Sequence, residues 1–138
     1  MADGLGRYNF IMGNKRRPKY NENSAIRSAL RRTFSRSPIV KEILDENRRT
    51  SPRFKKDGTR HKIDAVEFKC SICESWVSRK EIQVDHIEPV VPVETGFTDW
   101  NTFKERLFCA KSNLRCLCLT CHKQVTKEQR DKRKLHEP

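Results

Sequence analysis

The chain has little that a membrane would accept. No apolar run approaches the ~20 residues of a bilayer-spanning helix, and no apolar h-region follows the N-terminus. The expectation is a soluble, non-exported protein. Hydrophobic residues are scarce as well, at 35%, and are matched by an equal 35% of charged residues. In 138 residues that leaves room for one domain with a small core, of the kind that a bound metal or a partner assists. Acidic residues are scarce in the first half. Residues 1–62 hold 17 Lys/Arg against 6 Asp/Glu, whereas residues 63–138 hold 13 against 12. This asymmetry reads as a basic arm attached to a nearly neutral compact unit, and nucleic-acid phosphate is its natural partner. An anionic membrane surface would attract the same charge, but the apolar anchor it requires is not evident.

Six cysteines are present, and their spacing decides how they read. "CSIC" supplies Cys70 and Cys73, and "CLTC" supplies Cys118 and Cys121. Each C-x2-C pair can wrap one edge of a thiolate tetrahedron, which is a strong signal for structural Zn²⁺. A disulfide scaffold is the alternative, disfavoured because it would call for an export signal. Cys109 and Cys116 lack paired spacing and are expected as buried thiols.

Along the chain, residues 1–23 carry Gly, Asn and Pro with little periodicity and read as a flexible basic tail. Residues 24–62 read as a basic helical arm and linker. Ile26, Ala29, Leu30 and Phe34 recur at helical intervals behind Ser24 as a candidate N-cap. "SPIVKEILDENRR" offers Ser37 as a cap, Pro38 at the first helical position and an apolar stripe of Ile39, Val40, Ile43 and Leu44. Arg27, Arg31, Arg32, Arg48, Arg49, Lys55, Lys56 and, further on, Lys123 are candidates for phosphate contact; solvation of outer faces is the competing reading for each. "KIDAVEFKC" suggests a strand entering the first cysteine pair. "SRKEIQVDHI" suggests a second, with Ile82, Val84 and His86 on one side. "TDWNTFKERLF" suggests a helix capped near Thr98 or Asp99. A last helix begins around Cys118–Cys121 and is expected to fray after residue 130.

Asp85 and His86 raise a question, since neighbours on a flat strand point to opposite faces. Joining the two cysteine pairs brings His122, beside Cys121, towards the end of the strand carrying Asp85 and His86, and Asn113 lies on the return path. A hard divalent ion accepts carboxylate oxygen, Mn²⁺ also tolerates imidazole, and an unligated imidazole can take a proton from water. Taken singly, Asp85 reads as a surface charge, Asn113 as a turn or cap residue, and His122 as a zinc ligand replacing a cysteine.

The text "CSIC … VDHIEPV … NLRCLCLTCH", spanning roughly residues 64–130, resembles the HNH endonucleases. The resemblance implies an α+β fold: a small ββα-metal (HNH) nuclease domain over residues 63–138, with a four-cysteine zinc site, preceded by the basic helical region. It implies His86 as general base, Asp85 and His122 as ligands of a catalytic Mg²⁺ or Mn²⁺, and Asn113 as a brace that orients His86. DNA is the implied substrate, cut to 5′-phosphate and 3′-hydroxyl ends one strand at a time. A homodimer or larger DNA-processing assembly would then be needed for a double-strand break. A bacterial or phage-infected cytoplasm is the implied setting. Two positions depart from the family pattern: Val125 stands where lysine is usual, and a glycine pair is reduced to Gly96. The competing class is a zinc-stabilised nucleic-acid-binding module without catalysis.

Overall fold

The computed structural model describes residues 16–136; residues 1–15 of the expected basic tail lie outside it. Helix α1, Glu22–Ser35, starts two residues before the expected cap. Asn21 caps it, its Oδ1 accepting the Ser24 N–H at 3.0 Å, so Ser24 is a first-turn residue. Helix α2, Pro38–Glu46, follows with Pro38 at its first position and Ser37 before it. It stops short of the two arginines. Arg48 and Arg49 open strand β1, Arg48–Ser51, which pairs antiparallel with β2, Ala65–Lys69. Strand β3, Trp76–Val77, completes this three-stranded sheet in the order β1-β2-β3.

A second sheet contains only β4, Ile82–His86, and β5, Leu114–Cys118, paired antiparallel with Asp85 opposite Arg115 and His86 opposite Leu114. Between them lies an irregular segment and helix α3, Trp100–Leu107, which is capped by Asp99 through the Thr102 N–H at 2.8 Å. Helix α4, Leu119–His136, leaves β5 directly. It does not fray after residue 130. Arg133 donates from Nη2 to the Val91 carbonyl at 3.1 Å, and Arg133, Lys134 and His136 suit the negative end of the helix dipole. Among the described residues, no helix is long and apolar enough to cross a membrane.

One core unites the two halves of the sequence. Phe34 of α1 and Val40, Ile43 and Leu44 of α2 pack with Phe68, Ile82, Phe103, Leu107, Leu114 and Cys116. The basic helices therefore contribute apolar faces to the same interior as β4 and β5. A smaller cluster of Cys70, Leu117 and Cys118 is flanked by Val77, Cys121 and Val125. The result is a small mixed α+β domain. Cys116 is fully buried as expected, but Cys109 is only half-buried at the edge of the main core, because it follows α3 on the way out to Ala110.

A candidate metal centre and the groove beside it

The β2–β3 turn and the β5–α4 junction meet at the four paired cysteines. The Sγ atoms of Cys70, Cys73, Cys118 and Cys121 lie within 4.8 Å of one another. Zn–S bonds of about 2.3 Å would place neighbouring sulfurs of a tetrahedron about 3.8 Å apart. Cys73 Sγ and Cys118 Sγ are separated by 3.7 Å, far beyond a disulfide bond, and all six cysteines are free. The first turn is tight: Cys70 N–H donates to Ser75 O, Glu74 N–H donates to Cys70 O, and Glu74 adopts φ 62° to close it. Hydrogen bonding from Ser75, first through its side chain and then its backbone, pulls the Cys73 thiol down to about 6. Hydrogen bonding with Cys118, aided by burial, pushes Cys121 up to about 12. Without a cation, the Cys73 and Cys121 thiols are thus pushed in opposite directions. A divalent ion would displace the thiol protons, with Cys70, Cys73, Cys118 and Cys121 holding it as thiolates. The set can take a structural zinc ion.

Beside this cluster, a groove of about 890 Å³ runs along β4. Because its sheet has two strands, β4 has an edge without a strand partner, and residues 82–86 all reach the groove. Strand-edge placement is how the neighbours Asp85 and His86 border one space despite the alternation of a strand.

Asp85 is largely buried. Its Oδ2 accepts from Arg115 Nε at 3.2 Å, and its Oδ1 lies 4.0 Å from His122 Nε2. His122 reaches it from the first turn of α4, immediately after Cys121. His86 Nε2 lies 2.8 Å from the carbonyl of Leu107, at the end of α3. A carbonyl only accepts, so Nε2 carries a proton; in the neutral tautomer this leaves the lone pair on Nδ1. The imidazole also packs against Phe34, with ring centroids 4.9 Å apart. Asn113 stands against the chain just past His86. Its Oδ1 accepts the Glu88 N–H at 2.9 Å, its Nδ2 donates to the Glu88 carbonyl, and its own carbonyl accepts the Ile87 N–H. It pins residues 87–88 rather than hydrogen-bonding the His86 ring.

The eight cations singled out from the sequence are dispersed. Arg31 lines the groove. Arg27 stacks over Phe97 at 5.2 Å, and Arg49 over Trp76 at 4.0 Å while pairing with Glu67. Arg32, Arg48, Lys55, Lys56 and Lys123 are exposed elsewhere. Three groove cations, Arg79, Lys80 and Arg133, escaped sequence reasoning. One signal for Arg133 was available: His122, Thr126, Gln129 and Arg133 recur at helical spacing, the stripe that α4 turns to the groove.

Among the described residues, the four cysteines form the only group of three or more candidate ligands gathered closely enough for one metal ion. Asp85 and His122 offer two donors. Comparison of the chain with protein-family models, with curated proteins and with solved structures returns no match. The class that fold and site define is a small α+β domain with a four-cysteine cluster able to hold a structural metal.

Proposed function

We propose that the chain is a metal-dependent endonuclease of the HNH type, hydrolysing DNA phosphodiester bonds in the groove along β4. The observation that carries this reading is the convergence of Asp85, His86 and His122 on one basic groove, with Asn113 bracing the turn behind them. Cis donors to one Mg²⁺-sized ion lie ~3.0 Å apart, so Asp85 Oδ1 and His122 Nε2, 4.0 Å apart, would draw about 1 Å closer on a shared ion. Such an ion, when bound, would supply charge stabilisation for the phosphoryl group and the departing oxygen.

The remaining chemistry falls to the chain. Arg115 holds one oxygen of Asp85 and leaves the other towards His122. The Leu107 carbonyl fixes the His86 tautomer, so Nδ1 is available to take a proton from an attacking water. Asn113 keeps the backbone after His86 from swinging away. Hydrolysis in this geometry would leave 5′-phosphate and 3′-hydroxyl ends, one strand per site.

A second reading is favoured by the same contacts taken differently. His86 is hydrogen-bonded and packed on Phe34 like a satisfied core histidine, and Asp85 already has an ion-pair partner. A zinc-stabilised nucleic-acid-binding module would need nothing more. The four-cysteine cluster, the one close-set group of candidate ligands among the described residues, supports this module better than it supports the nuclease. The two separate in one assay of zinc-loaded protein on supercoiled plasmid with Mg²⁺, Mn²⁺ or chelator. Nicked circles that require the divalent ion and are lost in His122→Ala support the nuclease. Binding without cleavage under every ion assigns the protein to the second class.

A further inference from the structure

The groove extends well beyond Asp85 and His86, and its lining includes four positive charges. Arg31 of α1 and Arg133 of α4 both line it, as do Arg79 and Lys80. Among the described residues, the only carboxylate in the lining is Asp85, which is engaged by Arg115. Arg31 lies over the Phe103 ring at 5.8 Å and has no ion-pair partner among the described residues. Arg133 spends Nη2 on Val91, while its Nε is buried without a hydrogen-bond partner. Partial desolvation, then the charges of Arg27 and Arg133, lowers the pKa of Arg31, whose side chain still keeps exposed surface. Like charges facing one groove, one of them with an unspent donor, call for an anion.

We propose that Arg31 and Arg133 form a phosphate seat that holds a backbone phosphate of a nucleic-acid strand at a distance from the bond being cut. This rests on reading the groove as a phosphodiester site. The guanidinium fork suits a phosphate oxygen pair, and α4 sets the spacing. His122 and Arg133 are eleven positions apart on α4, about 16 Å at 1.5 Å per residue. At ~3.4 Å of rise per nucleotide, that distance spans roughly five nucleotides of one strand. The seat would therefore make the site discriminate by substrate length, favouring a strand over a small phosphodiester.

The test uses full-length, zinc-loaded protein and the variants Arg31→Gln, Arg133→Gln, Arg133→Lys and Lys132→Gln. The last removes the same charge one residue away, from an exposed position outside the groove. Binding to a fluorescent duplex is measured across salt concentrations without added Mg²⁺ or Mn²⁺. Each glutamine variant of the seat should bind about five- to tenfold more weakly at moderate salt, with a salt slope smaller by ~0.9, while Lys132→Gln stays within about twofold of the parent. Arg133→Lys should keep the slope and lose part of the affinity. The Arg31 side chain makes no hydrogen bond among the described residues, so its variant reports on the seat even if Arg133→Gln loosens the loop at Val91.

Hydrolysis of bis(p-nitrophenyl) phosphate, too short to reach the seat, should be equal in parent and seat variants, whereas plasmid nicking should fall. Seat variants indistinguishable from Lys132→Gln in binding overturn the seat and leave the nuclease reading intact. A parent that binds DNA but hydrolyses neither substrate overturns the nuclease reading, and the binding series still judges the seat. Inorganic phosphate should compete with DNA more strongly in the parent than in Arg31→Gln, as expected of a free anion that fills the same place. Competition by phosphate that is equal in parent and Arg31→Gln would count against the seat.

Discussion

Replacing Phe34 with alanine tests whether the basic helices belong to the domain that carries the groove. Phe34 is 5% exposed, contacts the His86 ring at 4.9 Å and meets Phe108 edge-on at 5.6 Å. Removing a buried phenylalanine costs about 3–5 kcal/mol through lost burial and the cavity left behind. For a domain of this size, each kcal/mol lowers the melting temperature by roughly 3–5 °C, so a fall of about 10–20 °C is expected. Phe34→Leu keeps most of the volume and should cost about 1–1.5 kcal/mol. Thermal unfolding of zinc-loaded protein, followed by circular dichroism, gives both values. The His86 ring would also lose its packing surface, so plasmid nicking by Phe34→Ala should drop even well below its melting temperature. A shift smaller than about 2 °C in Phe34→Ala would refute the docking of α1 on the core.

The metal centre and its turn give further expectations. Cys118→Ser should abolish stoichiometric zinc and, because structural zinc binding is worth on the order of 10 kcal/mol, melt or severely destabilise the domain; retention of one zinc per chain would contradict the four-cysteine assignment. Alkylation of native zinc-loaded protein should modify half-buried Cys109 alone, since Cys116 is fully buried with its thiol pushed up to about 11 by that burial. A chelator should then expose the other four, and early labelling of Cys70 or Cys118 in the absence of chelator would count against the cluster. Glu74 sits at φ 62°, where L-residues pay about 1 kcal/mol, so Glu74→Gly should hold or slightly raise the melting temperature; a clear fall would mean that its side chain matters more than its backbone.

What the sequence made legible follows strong local signals. The paired cysteines, separated by 44 intervening residues, found each other because metal chemistry leaves few alternatives for C-x2-C spacing. The apolar stripes of α1, α2 and α3 were readable, as was β4, where Ile82, Val84 and His86 alternate. Strand β1 was not, because "RRTS" has no apolar alternation; it is a strand only because β2 accepts its backbone. The boundary of α2 fell at Glu46 for the same reason. Helix α4 looked too polar to persist, since its anchors are tertiary: Arg133 reaches a carbonyl 42 residues earlier in the chain. The groove cations share that origin. Arg79, Lys80 and Arg133 become neighbours of Asp85 only through the fold, while the eight cations chosen by local charge scatter over several faces.

The central claim is that His86 serves as a base in a metal-dependent phosphodiester cut, and one comparison tests it most directly. Parent and His86→Ala, each verified to carry zinc and to bind DNA, are timed on supercoiled plasmid with saturating Mg²⁺ or Mn²⁺. Loss of a positioned general base predicts a rate at least about a hundredfold lower with DNA affinity unchanged, nicked circles as the first product of the parent, and 5′-phosphate ends. Cleavage by His86→Ala at the parental rate, or a parent that binds DNA and cuts it with neither ion, would contradict the account.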